Sequence, residues 1–119
     1  MANISYQNRK FPLKIKTVII QPNIDPNKKW NKIGRKQTHQ VMDSLYSEAI
    51  KLNPDIILFP ETALPTYIRL NTKVKSLLQS KVDSSGIPIL IGTVDRRFSL
   101  DGVKNFFNSS IYFLSLIHI

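Results

Sequence analysis

Two short runs that are apolar almost throughout, Asp55 to Phe59 (DIILF) and Ile87 to Thr93 (IPILIGT), constrain this chain most. A strand with one wet face alternates apolar and polar residues, so an uninterrupted apolar run of this length points to a strand buried on both faces, as in a parallel sheet covered by helices. Pro60 closes the first run. Between the two runs a helix is expected to begin near Asn71, with Val74, Leu77, Leu78 and Val82 on one face and Ser84-Ser85-Gly86 ending it. Strand, helix and strand in that order make a βαβ unit.

The same grammar holds upstream. Lys14 to Ile20 (KIKTVII) alternates and then turns wholly apolar, which predicts a first strand that enters from an edge and ends buried on both faces. The prolines and asparagines of QPNIDPNKKW make the next stretch a loop. From about Arg35 to Leu52, Val41, Met42, Leu45, Tyr46, Ala49 and Ile50 fall on one helical stripe that Asn53-Pro54 stops. Downstream, the polar DRRFSLDGVK reads as a turn centred on Asp101-Gly102, with Asp95, Arg96 and Arg97 solvated, before Asn108 to Leu114 returns to strand character. The order of elements predicts an α/β layered fold with a terminal hairpin.

Composition narrows the chemistry. The 119 residues contain no cysteine, which excludes a disulfide framework, a thiolate metal site and a cysteine nucleophile within them. A net charge of +9 admits a polyanionic partner, but Lys28, Lys29, Lys32, Arg35 and Lys36 cluster without aromatics alternating among them, Trp30 standing alone there, so no nucleic-acid partner is expected. No apolar stretch approaches the roughly 18 residues of a spanning helix, and MANISYQNRKF lacks the apolar centre of a signal peptide. Residues 1–13 read as a leader or linker.

One acidic residue stands out by position. Glu61 follows a buried strand directly and lies between Pro60 and Pro65, and in parallel α/β sheets ligands and catalytic groups gather at the carboxyl ends of strands. Partial burial there would raise its pKa and make it a usable general base. From position alone, a plain cap of the following turn reads equally well. Other polar residues invite blander readings: His39 and His118 are too far apart for a metal site, Trp30 is expected to pack on the neighbouring helix, and Asn108 to satisfy backbone groups at a strand start. Lys104 precedes the last strand.

The motifs together go further. A strand ending in apolar-Pro-Glu resembles the carbon–nitrogen hydrolase, or nitrilase, superfamily, and FPETALP with IIQPNIDPNKKW before it and IPILIGTVD and FFNSSIYF after it is similar to the apolipoprotein N-acyltransferase family. The resemblance covers residues 14–113 and implies a partial nitrilase-type α-β-β-α sandwich, about its first half. It implies Glu61 as the catalytic base of a Glu-Lys-Cys triad that needs no cofactor, with the Lys beyond the strand containing Asn108 and the Cys further on; Lys104 is therefore not that Lys, and this piece alone is expected to be inactive. The implied partners are a phospholipid acyl donor and an apolipoprotein acceptor, at the periplasmic side of a bacterial inner membrane to which N-terminal helices would anchor the domain. A soluble nitrilase-type amidase shares the triad, and a basic, non-enzymatic binding module is the reading from another class. The last residues, LSLIHI (114–119), are similar to the in-frame translation of a transposon-derived sequencing adapter and are expected to be a non-native tail, the alternative being a native strand that continues to Ile119.

Overall fold

The computed structural model describes residues 14–25, 27, 30–61, 63–115 and 117, so the leader (1–13), Lys28, Lys29, His118 and part of the tail lie outside the described residues. Six elements follow one another: β1 (Thr17–Ile19), α1 (Lys32–Lys51), β2 (Ile56–Phe59), α2 (Thr72–Ser85), β3 (Ile89–Phe98) and β4 (Lys104–Phe113). The strands form one mixed sheet in the order β1-β2-β3-β4, with the first three parallel and β4 antiparallel to β3. The α/β class and the βαβ units agree with the expectation from sequence.

Local signals set the helix ends. The Asn31 side chain accepts a hydrogen bond from the Gly34 amide at 2.7 Å to cap α1, and Asn71 does the same for Val74 at 3.1 Å on α2. Asn53 takes a left-handed φ of 50° ahead of Pro54, and Gly86 takes φ 72° as the C-cap of α2. The buried stripe of α1 is Gly34, Thr38, Met42, Tyr46 and Ala49; Leu45 and Ile50 pack beside it, whereas Val41 sits on the flank, 37% exposed. Val74, Leu78 and Val82 bury α2, with Leu77 exposed beside them. Tyr46 joins the helices, its hydroxyl lying 2.9 Å from both the Lys81 carbonyl and Ser85 Oγ.

The helices cover only one face of the sheet. Ile57 and Phe59 of β2 and Ile89 and Ile91 of β3 point into the helices and are buried. Their alternates face the other way: Leu58 and Leu90 are half-buried, while Ile19 and Tyr112 are 69% and 53% exposed. The first strand thus departs from expectation. It is a three-residue strand at the edge of the described sheet with one open face, not a strand buried on both, because the helices cover only the opposite face.

The hairpin differs too. Asp95, Arg96 and Arg97 are not a solvated turn but the outer part of β3, and Asn108 lies within β4 opposite Val94 instead of at a strand start. Ten residue pairs run from Ile89–Phe113 to Phe98–Lys104, and the turn tightens at Gly102, as Asp101-Gly102 foretold, with its φ of 83° and its amide bonded to the Ser99 carbonyl at 2.9 Å. Long-range pairing supplies the regularity that the polar DRRF sequence does not announce. Because the Asn71 side chain both caps α2 and donates to Thr66 Oγ1 at 3.1 Å, Asn71→Ala is expected to lower stability by about 1 kcal/mol or somewhat more in urea denaturation, the usual cost of a lost N-cap.

Candidate active site

The chain leaves β2 at Phe59 and turns at once, with the Ala63 amide bonded back to the Pro60 carbonyl at 3.2 Å. Glu61 stands in this turn at the carboxyl end of a parallel strand. Its side chain is exposed, so the expected partial burial is not found; the turn stands on the uncovered face of the sheet, where no helix packs.

The residues after it are firmly anchored. Ala63, Leu64, Pro65 and Ile68 are buried and commit the segment to the core. At its far end Arg69 reaches β3: its Nε lies 2.9 Å from both carboxylate oxygens of Asp95, and its Nη2 donates to the Arg96 carbonyl at 2.9 Å. Arg97 adds a bond from its Nε to Asp95 Oδ2 at 3.1 Å. Tyr67 lies beneath the Arg96 guanidinium, 5.1 Å from ring centroid to Cζ. Since β3 and β4 extend past the end of β2, Arg69 reaches a stretch of β3 that β2 leaves unpaired.

The turn and the strand also meet at closer range. A Cβ on Gly92 would lie 2.7 Å from Glu61 Cα, 3.0 Å from Glu61 N and 3.3 Å from the Pro60 carbonyl oxygen. Glycine is what permits the Pro60–Glu61 backbone to rest directly on β3. By strand alternation that Cβ position belongs to the face of Leu90 and Val94, opposite the helices.

The other candidates do not join Glu61. Lys104 opens β4 at the far end of the hairpin, opposite Phe98 and 5.9 Å from the Phe98 and Phe106 ring centroids. Phe98 stands six residues beyond Gly92, about 20 Å along the strand at a rise of roughly 3.3 Å per residue, so Lys104 cannot share a reacting centre with Glu61. His39 is packed on α1 beside Met42, Tyr46, Phe59 and Leu64, where desolvation lowers its pKa below 6.5. Trp30 stands just ahead of the α1 cap and is 44% exposed. Among the described residues no group of three or more His, Asp or Glu is placed to hold a metal ion. Sequence reading missed Arg69 and Gly92, since both matter through residues distant in the chain.

This is an α/β protein presenting a carboxylate from a tight, core-anchored turn at the end of a parallel strand. Over about 70% of its length the chain is homologous to the apolipoprotein N-acyltransferases. It is 33% identical over 85 residues to the apolipoprotein N-acyltransferase of Chlorobaculum tepidum, covering 69% of this chain and 16% of that protein. With the enzyme of the same name from Gloeobacter violaceus it shares 30% identity over 93 residues, 71% of this chain and 18% of the relative. The chain thus spans less than a fifth of the length of these relatives. No protein-family model matches it.

The Asp95 cluster makes a pH prediction. Desolvation opposes ionisation of this buried carboxylate, but the hydrogen bonds from Arg69, Arg97 and the Arg96 backbone, with the Arg69 charge, outweigh it and hold the pKa below 3.8. A depressed folded-state pKa contributes stability that is complete above the unfolded value of 3.8 and disappears as the pH falls through the folded one. Between neutral pH and about pH 3, Asp95→Asn is therefore expected to lose stability less steeply than the parent in urea titrations; parallel curves would show that Asp95 has no part in the acid response.

Proposed function

We propose that residues 14–113 are the first part of a carbon–nitrogen hydrolase domain in an apolipoprotein N-acyltransferase, with Glu61 as its general base. In this reading 1–13 is the leader and 114–119 a non-native tail. The observation that carries it is Glu61 itself, presented from a turn at the carboxyl end of β2 within a chain homologous to these enzymes. The uncovered sheet face, with Ile19 and Tyr112 exposed, suits the inner layer of an α-β-β-α sandwich onto which a second sheet would pack.

The chemistry is acyl transfer through a thioester. Glu61 takes the proton of a cysteine thiol supplied by the remainder of the domain, and the thiolate attacks an ester carbonyl of a phospholipid. A lysine, also from the remainder, places positive charge beside the tetrahedral oxyanion. Collapse of that intermediate breaks the ester C–O bond, and the proton passes to the departing lysophospholipid oxygen. The α-amino group of a diacylglyceryl-cysteine at an apolipoprotein N-terminus then attacks the thioester, forming the amide and returning the thiol. An exposed Glu61 suits a base that must reach a thiol carried on another part of the domain.

The enzyme would work at the periplasmic face of the inner membrane. Among the described residues no helix is long and apolar enough to cross a membrane, so in this reading the anchor lies outside them. A soluble amidase would use the same Glu61, and the acyltransferase reading is favoured over it because both relatives carry the acyltransferase name.

Sequencing the genomic locus is the direct test. A reading frame that continues through a lysine and then a cysteine in place of LSLIHI supports the proposal, and one that ends at Ile119 with neither refutes it. In the protein encoded by the extended frame, Glu61→Gln is expected to slow transfer of a labelled acyl chain by about 10²–10⁴-fold, the usual contribution of a general base.

A further inference from the structure

We infer that Gly92 is a positioning residue for Glu61: the bare backbone of β3 at this point is the seat on which the Pro60–Glu61 turn rests, and any side chain there would lift the carboxylate away from its place. The inference rests on Glu61 being the general base.

The distances make the case. Ordinary van der Waals contact begins at 3.4 Å, and a Cβ at Gly92 would approach Glu61 Cα to 2.7 Å, so about 0.7 Å of separation would have to be created by one methyl group. The atoms it meets are all backbone, Glu61 Cα and N and the Pro60 carbonyl oxygen, and none can rotate aside as a flexible side chain would.

Which partner yields is decided by how each is held. β3 cannot recede, because it is paired with β2 on one side and β4 on the other, and the side chains flanking Gly92 in sequence, Ile91 and Thr93, are buried at 0% and 1% exposure. The Pro60–Glu61 turn is less firmly held: Glu61 is exposed, and a 3.2 Å bond from the Ala63 amide to the Pro60 carbonyl closes it. Beyond Glu61 the chain is anchored again at Ala63, which is fully buried. Strain at Gly92 is therefore concentrated in the few bonds that aim the Glu61 side chain. A displacement on the scale of 1 Å at a catalytic group can cost about 10²-fold in rate even when binding is untouched. Val94 offers a control, since it lies two residues further along the same face of β3 but is not an atom of this contact.

Amide hydrogen exchange on the chain and kinetics on the enzyme encoded by the extended reading frame test this together. In Gly92→Ala, exchange is expected to speed up at least tenfold at the Ala63 amide, which closes the turn, with α2 and the β3–β4 ladder unchanged, whereas Val94→Ala leaves that amide at the parent rate. Unchanged exchange around Glu61, or protection lost evenly across the whole sheet, overturns the inference, because the methyl group would then be accommodated without moving the turn or would break the sheet instead. In the enzyme, Gly92→Ala is expected to lower kcat by about 10- to 100-fold while KM for phospholipid stays within about twofold. Full activity in Glu61→Gln removes the general-base reading itself. Loss of activity in Glu61→Gln with an unchanged kcat in Gly92→Ala removes only the role of Gly92.

Discussion

The architecture depends on β3 being held on every side but one. It pairs in parallel with β2 and antiparallel with β4, and Ile89 and Ile91 are buried on the helix side. Burying side chains of this kind stabilises by roughly 1.5–3 kcal/mol each, so these contacts, more than any polar one, fix where the strand lies. With β3 so held, its uncovered face and the outer stretch beyond the end of β2 are surfaces against which irregular chain is set. The Pro60–Glu61 turn rests on the first at Gly92, and Arg69 grips the second through Asp95 and the Arg96 carbonyl.

That arrangement explains how an exposed carboxylate can still be well placed. Glu61 has no burial to restrain it, and an exposed acid in an ordinary loop would sample many positions. Here the backbone beneath it is confined by the glycine contact below, by β2 before it and by Ala63, Leu64 and Pro65 after it. Precision comes from the backbone, and accessibility is left to the side chain. The sheet face next to the turn is uncovered among the described residues, with Ile19 and Tyr112 exposed on it.

The part of the fold legible in sequence was the part determined locally. DIILF and IPILIGT announced strands, but the burial on both faces that their unbroken apolar runs implied is not met: Ile57, Phe59, Ile89 and Ile91 are buried under the helices, while Leu58 and Leu90 on the other face are half-buried, because among the described residues no helix covers that face. Asn71 and Gly86 marked the ends of α2 because a cap acts through its own neighbouring amides and carbonyls. The outer hairpin was not legible: DRRF carries no alternation of its own, and its strand character comes from the ladder with Lys104 to Phe107. The single open face of β1 was hidden for a similar reason, since an apolar run does not state whether another layer packs on each face of its sheet.

By itself the sequence determined the element order, the ends of α2 and the stop of α1, the place of Glu61 at the end of a strand and the motifs that tie the chain to its relatives, because each of these is written in residues close together; the start of α1 lies at Lys32, capped by Asn31, ahead of the Arg35 expected. Only the tertiary structure decided that Glu61 is exposed, that Asp95 is a buried anion clasped by Arg69 and Arg97, that Lys104 stands far from the turn, and that Gly92 lies under the Glu61 backbone. These four facts concern contacts between segments far apart along the chain. Such contacts follow from how β2, β3 and the hairpin stack in space, which no local pattern of residue types encodes.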